Sequence, residues 1–122
     1  VTIANGTIAG DTMPHIDDEE CRRFQQAAEL AGRKWTASIL MAAFRGARRF
    51  SEYRVLVAGI SDRMLAVRLR ELERENLIER VVVPTIPVQI RYGLTPRGQE
   101  LIQGLQPLVE WGNRWEVPAR EE

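Results

Sequence analysis

The 122-residue chain has one cysteine and one histidine. A single cysteine excludes an internal disulfide framework, and Cys21 with His15 cannot close a zinc site, which takes about four ligands. No apolar run approaches the roughly 18 residues that a membrane-spanning helix needs, and no basic-then-apolar leader opens the chain. A cytoplasmic protein without a membrane partner is therefore expected. A catalytic reading would need a nucleophile with its base, a metal cluster or a glycine-rich phosphate loop. The sequence supplies none of these, so neither an enzyme nor a cofactor or metal is expected.

Lysine is also nearly absent, with 16 of the 17 cations being arginine. Arginine suits bidentate contacts to guanine or phosphate. The net charge of zero conceals a strong segregation. Residues 1–20 hold five acids and no base. Residues 21–98 hold 15 bases against 7 acids, a net of +8, and residues 99–122 hold 2 bases against 5 acids. A basic middle between acidic ends suits a polyanion, with an affinity that falls steeply with salt.

Length and a 44% hydrophobic content fit one small domain with a modest core. Residues 1–16 mix Gly, Thr, Asn and Pro without a period and read as a flexible arm, in which His15 has no assigned role. Acids at 17–20 open a first helix that runs to about residue 31, with Phe24, Ala27, Ala28 and Leu30 or Ala31 facing inward. Gly32 ends it. A second helix, over 34–44, repeats Trp35, Ile39, Leu40, Ala43 and Phe44 at helical spacing, with Trp35 expected in the core. Ser51 is the expected N-cap of a short third helix reaching about residue 56, and Ala58-Gly59 turns the chain.

Ser61 is the expected N-cap of a fourth helix, in which Leu65, Leu69 and Leu72 form one buried stripe. At about 100° per residue, Arg63, Val67, Arg70 and Arg74 lie opposite it. Glu71, Glu73 and Glu75 dilute the charge toward its end, so its first turns are the part suited to DNA. Asn76 ends the helix. Residues 77–83 and 88–94 read as two strands joined by a loop of Pro84, Thr85, Ile86 and Pro87. Thr95-Pro96 opens a last helix, over 95–115, carrying Leu101, Leu105, Leu108, Trp111 and Trp115, with Pro107 expected to kink or split it. Residues 117–122 form a tail. A short helix leading into a basic helix can place the second in a major groove, and the strand pair can reach the adjacent groove or the backbone. The expected fold is α+β and mostly helical: a winged helix-turn-helix over 17–116, with flanking dimerisation helices at 17–31 and 95–115.

These motifs, taken in order, resemble the HxlR (DUF24) family of bacterial winged-helix transcriptional regulators. The residues that carry the resemblance are Cys21, then Gly32 through Thr36 with Ile39 and Leu40, then Arg49, Phe50, Ser51 and Glu52. Gly59, Ile60, Ser61, Leu65 and Leu69 through Leu72 follow. Leu77 through Arg80, Pro84, Pro87 and Tyr92 through Gly98 complete the set, which spans about residues 21–112. Arg22, Arg33 and Gly93 depart from the family's usual residues. The resemblance implies a homodimer on a pseudo-palindromic operator in double-stranded DNA. It also implies a cysteine, here Cys21, that senses quinones, aldehydes or oxidants. Arg22 and Arg23 beside Cys21 and the acids before it act on a thiol in opposite directions. The competing reading of Cys21 is a small hydrophobe at the dimer seam.

Base reading is expected from Arg63, with Ser61, Met64 and Val67, because arginine pairs with guanine O6 and N7 while Val and Met meet a thymine methyl. Arg48, Arg49, Arg68 and Arg70 are expected phosphate clamps, and Gln89 and Arg91 act from the wing. The plain alternative is that these arginines are solvated or paired with Glu71 and Glu73. Phe24, Leu101, Leu105, Leu108, Trp111 and Trp115 are the expected dimer interface, and Trp111 and Trp115 with Phe24 could instead line a pocket for a small aromatic inducer. The rival function is a winged-helix protein-interaction module without sequence-specific DNA binding.

Overall fold

The computed structural model describes residues 16–119, so His15, all but the last residue of the expected arm, and residues 120–122 lie outside it. The chain divides into two units, one ending at Gly32 and the other beginning at Arg33. The described part of the first is α1 (Asp18–Ala31), whose N-cap Asp17 accepts the Glu20 N–H at 2.8 Å. Asp18, Glu19 and Glu20 in its first turn suit the positive end of the helix dipole. The expected inward face is not buried. No residue of α1 is buried, Phe24 is 73% exposed, and only Leu30 and Ala31 are half-covered. The stripe is an apolar face on an otherwise polar helix, and such a face gains burial only when something covers it.

The second unit is built on α2 (Thr36–Phe44), which touches α3, α4, α5 and β2. It is apolar almost all round, as a central helix must be, and it buries Ile39, Leu40, Ala42 and Ala43. It begins two residues later than the periodicity suggested. Trp35, at its N-cap, takes the left-handed conformation (φ 77°) and is only half-buried. Its ring reaches out toward Gly59 instead of filling the centre of the core. At the other end Gly46, at φ 110°, supplies the left-handed residue of a Schellman closure. There the Ala47 N–H meets the Ala42 carbonyl at 3.0 Å.

Helix α3 (Phe50–Leu56) starts two residues before expectation, with Arg49 and not Ser51 at its N-cap. Its Tyr53 is fully buried. Helix α4 (Asp62–Arg74) has Ser61 as N-cap, as expected, and its hydroxyl accepts the Met64 N–H at 3.1 Å. Leu65, Leu69 and Leu72 are all buried. Asn76 at φ 61° closes the helix, with the Leu77 N–H on the Leu72 carbonyl at 2.9 Å. The chain passes directly into β1 (Ile78–Val83), which pairs antiparallel with β2 (Gln89–Leu94), so that Ile78 faces Leu94 and Val83 faces Gln89.

Thr95 closes the base of this hairpin. Its hydroxyl donates to the Asn76 carbonyl at 2.7 Å and accepts the Gly98 N–H at 3.0 Å, while its own N–H meets the Leu77 carbonyl at 3.1 Å. Beyond it the expected single helix is two: α5 (Pro96–Gly104), burying Gly98 and Ile102, and α6 (Gln106–Arg114), burying nothing. The break falls at Leu105, and Pro107 sits in the first turn of α6, where a missing N–H costs nothing. Leu101 and Leu105 are half-buried; Leu108, Trp111 and Trp115 are 60%, 45% and 59% exposed. Among the described residues no helix is long and apolar enough to cross a membrane.

Gly98 packs so closely on the hairpin base that a Cβ there would overlap the Leu77 carbonyl, whereas a Cβ at Gly104 would meet nothing within 4 Å. Gly98→Ala is therefore expected to destabilise the fold by about 2 kcal/mol or more through overpacking against backbone. Gly104→Ala, by the helix propensity of alanine, should cost nothing or stabilise by up to about 1 kcal/mol. Urea denaturation of the two variants beside the parent chain checks the pair.

Candidate nucleic-acid interface

The rotation of α4 is set by its leucines. With Leu65, Leu69 and Leu72 turned inward on the side where α4 packs against α2, α3 and β1, the opposite face is committed to solvent. Arg63, Arg70 and Arg74 lie there and are exposed, with Met64, Ala66 and Val67 half-covered beside them. None of the three arginines has an ion pair among the described residues. The expected competition from glutamates resolves elsewhere, since Glu71 takes Arg68 at 3.1 Å and Glu75 faces Arg33 at 3.7 Å. Arg74, set aside in the sequence because of its acidic neighbours, thus extends the cationic stripe to the end of the helix. The wheel had placed it correctly; the charge count misjudged which cations the acids hold.

The other arginines have different employment. Arg68 is only 20% exposed in its side chain; besides Glu71 it donates to the Lys34 carbonyl at 3.0 Å, tying α4 to the start of α2. Arg48 donates through Nη1 to the carbonyls of Ala43 (3.0 Å) and Ala47 (2.6 Å) and lies along Gly93 of β2. Its own carbonyl accepts the Tyr92 N–H at 2.7 Å. Both guanidinium groups satisfy backbone acceptors inside the unit. Arg54 joins Asp62 across the α3–α4 turn through two contacts, 3.0 and 3.3 Å, on a half-exposed surface where such a pair adds little stability but fixes geometry. Arg49 is exposed, with its backbone N–H, like that of Arg48, held by Glu52 Oε1 at 3.0 and 2.8 Å. Those two N–H donors, at Arg49 and then Arg48, hold the Glu52 carboxyl below the usual carboxylate range.

The wing is moored to α3 by two tyrosines. The Tyr53 hydroxyl donates to the Tyr92 carbonyl at 2.8 Å, and the rings meet edge to face at 6.3 Å. Sequence reading missed this pair, whose partners are 39 residues apart. Gln89 is half-buried and Arg91 exposed, and Arg91 Nη2 approaches Gln89 Oε1 at 3.4 Å. Ser61, whose hydroxyl caps α4, is exposed. Cys21 is a free, exposed thiol on α1, where Arg23 pairs with Glu19 at 3.3 Å. No group of metal-ligating side chains occurs among the described residues.

A family model described as HxlR-like helix-turn-helix matches residues 30–120. The chain is 37% identical over 101 residues to an uncharacterized HTH-type transcriptional regulator, YvaP, of Bacillus subtilis, which covers 83% of this chain and 94% of the relative. It is 35% identical over 99 residues to the HTH-type transcriptional regulator YodB of the same organism, covering 81% and 88%. Among solved structures, the diamide-treated form of YodB superposes with a TM-score of 0.68 at 34% identity over 85% of this chain and all of that one. The redox regulator HypR in its oxidized form gives 0.72 at 29% identity over 79% and 99%. The mostly helical arrangement with one small antiparallel sheet matches these two solved winged helix-turn-helix regulators.

Burial raises the Tyr53 hydroxyl from its ordinary 10.0 to about 12. The folded protein therefore holds this proton more tightly than the unfolded chain. The contribution to stability is complete below about pH 10 and is lost as pH rises through about 12. Tyr53→Phe is expected to cost about 1 kcal/mol at neutral pH through the lost hydrogen bond to Tyr92. It should also flatten the alkaline loss of stability; denaturant titrations at neutral pH and along an alkaline series read both effects.

Proposed function

The chain belongs to the HxlR-like helix-turn-helix family and is a DNA-binding transcriptional regulator, and from that premise we propose a homodimeric repressor that reads a pseudo-palindromic operator with α4 and is released through Cys21. The observation that carries the reading is the unpaired stripe of Arg63, Arg70 and Arg74 opposite the buried leucines. Desolvating an arginine against DNA is favourable when it gives up only water, and unfavourable when it must first leave a protein partner.

Arg63, in the first turn of α4, is the base reader, with Ser61, Met64 and Val67 beside it on the same turns. Arg70, Arg74 and Arg49 contact phosphates, which position the protein without specifying sequence. Gln89 and Arg91 approach from the wing. Arg48 and Arg68 serve this interface as struts: they hold the wing and α4 in place and do not leave their carbonyls. One helix reads too few base pairs for useful specificity, and a two-fold pair of half-sites about 34 Å apart doubles the readout. The exposed Leu108, Trp111 and Trp115, with Leu101 and Leu105 at their base, supply apolar area for that pairing, and Phe24 of α1 supplies more. The locale in keeping with this function is the cytoplasm.

Cys21 is the sensor. YodB and HypR are known as diamide-treated and reduced, and as oxidized and reduced, structures respectively. With one cysteine per chain, the signal here takes the form of an intersubunit disulfide, a mixed disulfide with a small thiol, or alkylation by an electrophile.

The test of DNA reading is selection of bound fragments from random duplexes, followed by footprinting with Arg63→Ala. The variant should lose about 1–3 kcal/mol of affinity and relax preference at one position in each half-site. Unchanged affinity and preference would remove Arg63 from the reading set. The test of sensing uses the same duplex. Cys21→Ser should bind it as the parent does but stay bound in diamide or a quinone, while the parent is released. A serine variant still released by either reagent assigns the response elsewhere.

A further inference from the structure

Resting on the DNA-binding reading above, we infer that the wing tip carries a second, apolar readout: Ile86 wedges into the minor groove beside the α4 site and selects deformable base steps. Ile86 is 102% exposed, the most exposed of the large hydrophobic side chains among the described residues, and Val88 (61%) and Val82 (51%) follow behind it along the hairpin. It is not on a loose loop. The Thr85 N–H donates to the Val83 carbonyl and the Thr85 hydroxyl to the Pro87 carbonyl, both at 2.8 Å, and Pro84 and Pro87 fix their own φ on either side. A β-branched side chain on a braced tip is presented with little rotamer freedom left to lose.

Charge names the occupant. Residues 80–99, which make up nearly all of the hairpin and the start of α5, contain three arginines and no carboxylate. Within the hairpin itself Arg80 and Arg91 outnumber the one acid, Glu79 at its base, so nothing near the aliphatic tip repels a polyanion. A protein partner would need an interface of about 1,000 Å² or more, beyond what Ile86 and the four part-exposed aliphatic side chains behind it (Val81, Val82, Val88 and Ile90) offer on one narrow hairpin. A duplex needs less, because the walls of its minor groove are sugar C–H surface that an aliphatic group can enter. Reach agrees: six paired residues extend about 20 Å. The neighbouring minor groove lies about half a helical turn, roughly 17 Å, from the major groove that α4 enters. The wing also starts where the reading helix ends, because only residues 75–77 separate α4 from β1.

Isoleucine has no donor or acceptor, so it cannot distinguish bases by their edges. What it can do is part the stack and kink the duplex, as inserted aliphatic side chains do. That deformation costs least at TA and CA/TG steps. The wedge therefore produces a preference at a flanking step that no polar group of the protein touches.

The experiment uses the full chain and a duplex selected from a random pool, with binding followed by fluorescence anisotropy across a salt series and bending by energy transfer between labelled duplex ends. Ile86→Ser, at a fully exposed position, should melt as the parent does and bind roughly tenfold more weakly, as expected for loss of one buried aliphatic side chain. Its salt slope should be unchanged, its bend smaller and its flanking-step preference gone. Ile86→Arg should steepen the salt slope by about one phosphate's worth and lose the same preference. An Ile86→Ser variant with parental affinity, bend and preference overturns the wedge and leaves the regulator reading intact. So does a variant whose oligomeric state changes while its DNA binding does not. A parent chain with no preference among duplexes overturns the regulator reading and the wedge together.

Discussion

The burial of Leu65, Leu69 and Leu72 is the constraint from which the interface follows. A helix is free to rotate about its own axis until something fixes it. Here three leucines at less than 3% exposure do so, each worth about 2–5 kcal/mol against truncation to alanine. Once they are inward, the positions on the far side are exposed whatever their chemistry. The sequence places arginines at three of them. The Ser61 cap and the Asn76 closure then fix where the helix begins and where it hands over to the wing, so that α4 and the hairpin are set by adjacent segments.

The arginines divide by the acceptor each one finds. Arg48 and Arg68 end on main-chain carbonyls of α2 and its flanking segments. Arg54 ends on Asp62, and Arg33 faces Glu75. The remainder on α4 have no such partner. The consequence is a frame tied by four arginines, from which the three on the far side of α4 project. Preorganisation of this kind lowers the cost of ordering long side chains when a phosphate or base arrives. The tyrosine pair does the same for the wing: a buried hydroxyl donating to a backbone carbonyl constrains β2 without occupying any group that could face a ligand.

Much of this was legible in the residue pattern. The order of elements, the leucine stripe, the Ser61 cap, the Asn76 stop and the proline loop all follow from local rules, in which a residue's own conformational preference or its neighbours within a turn decide the outcome. What was not legible depends on partners remote in sequence. Nothing near Arg48 shows that its guanidinium lies along Gly93, and nothing near Tyr53 shows Tyr92. Trp35 looked like core because its spacing to Ile39 and Leu40 is helical, but a left-handed backbone at the N-cap aims the ring out toward the α3–α4 turn. The inward face expected of α1 failed for a related reason: an apolar stripe states that a face wants cover, not that its own chain provides it.

The charge distribution then separates specific from non-specific attraction. A chain with a strong net positive charge would bind any duplex through counterion release, and a genome offers millions of such competing sites. This chain is neutral overall, with its acids gathered at both ends and its bases in the middle. At distances beyond the screening length of about 8–10 Å a chain without net charge gains little from a polyanion. At close range the local charge decides, because among the described residues no carboxylate is paired to the α4 stripe. Loose encounters with arbitrary DNA thus gain little, while a docked complex gains the full local interaction. In a protein this small, gathering most of the acids toward the ends, with only some of the middle arginines held in ion pairs, leaves an arginine-rich surface open without a net positive charge.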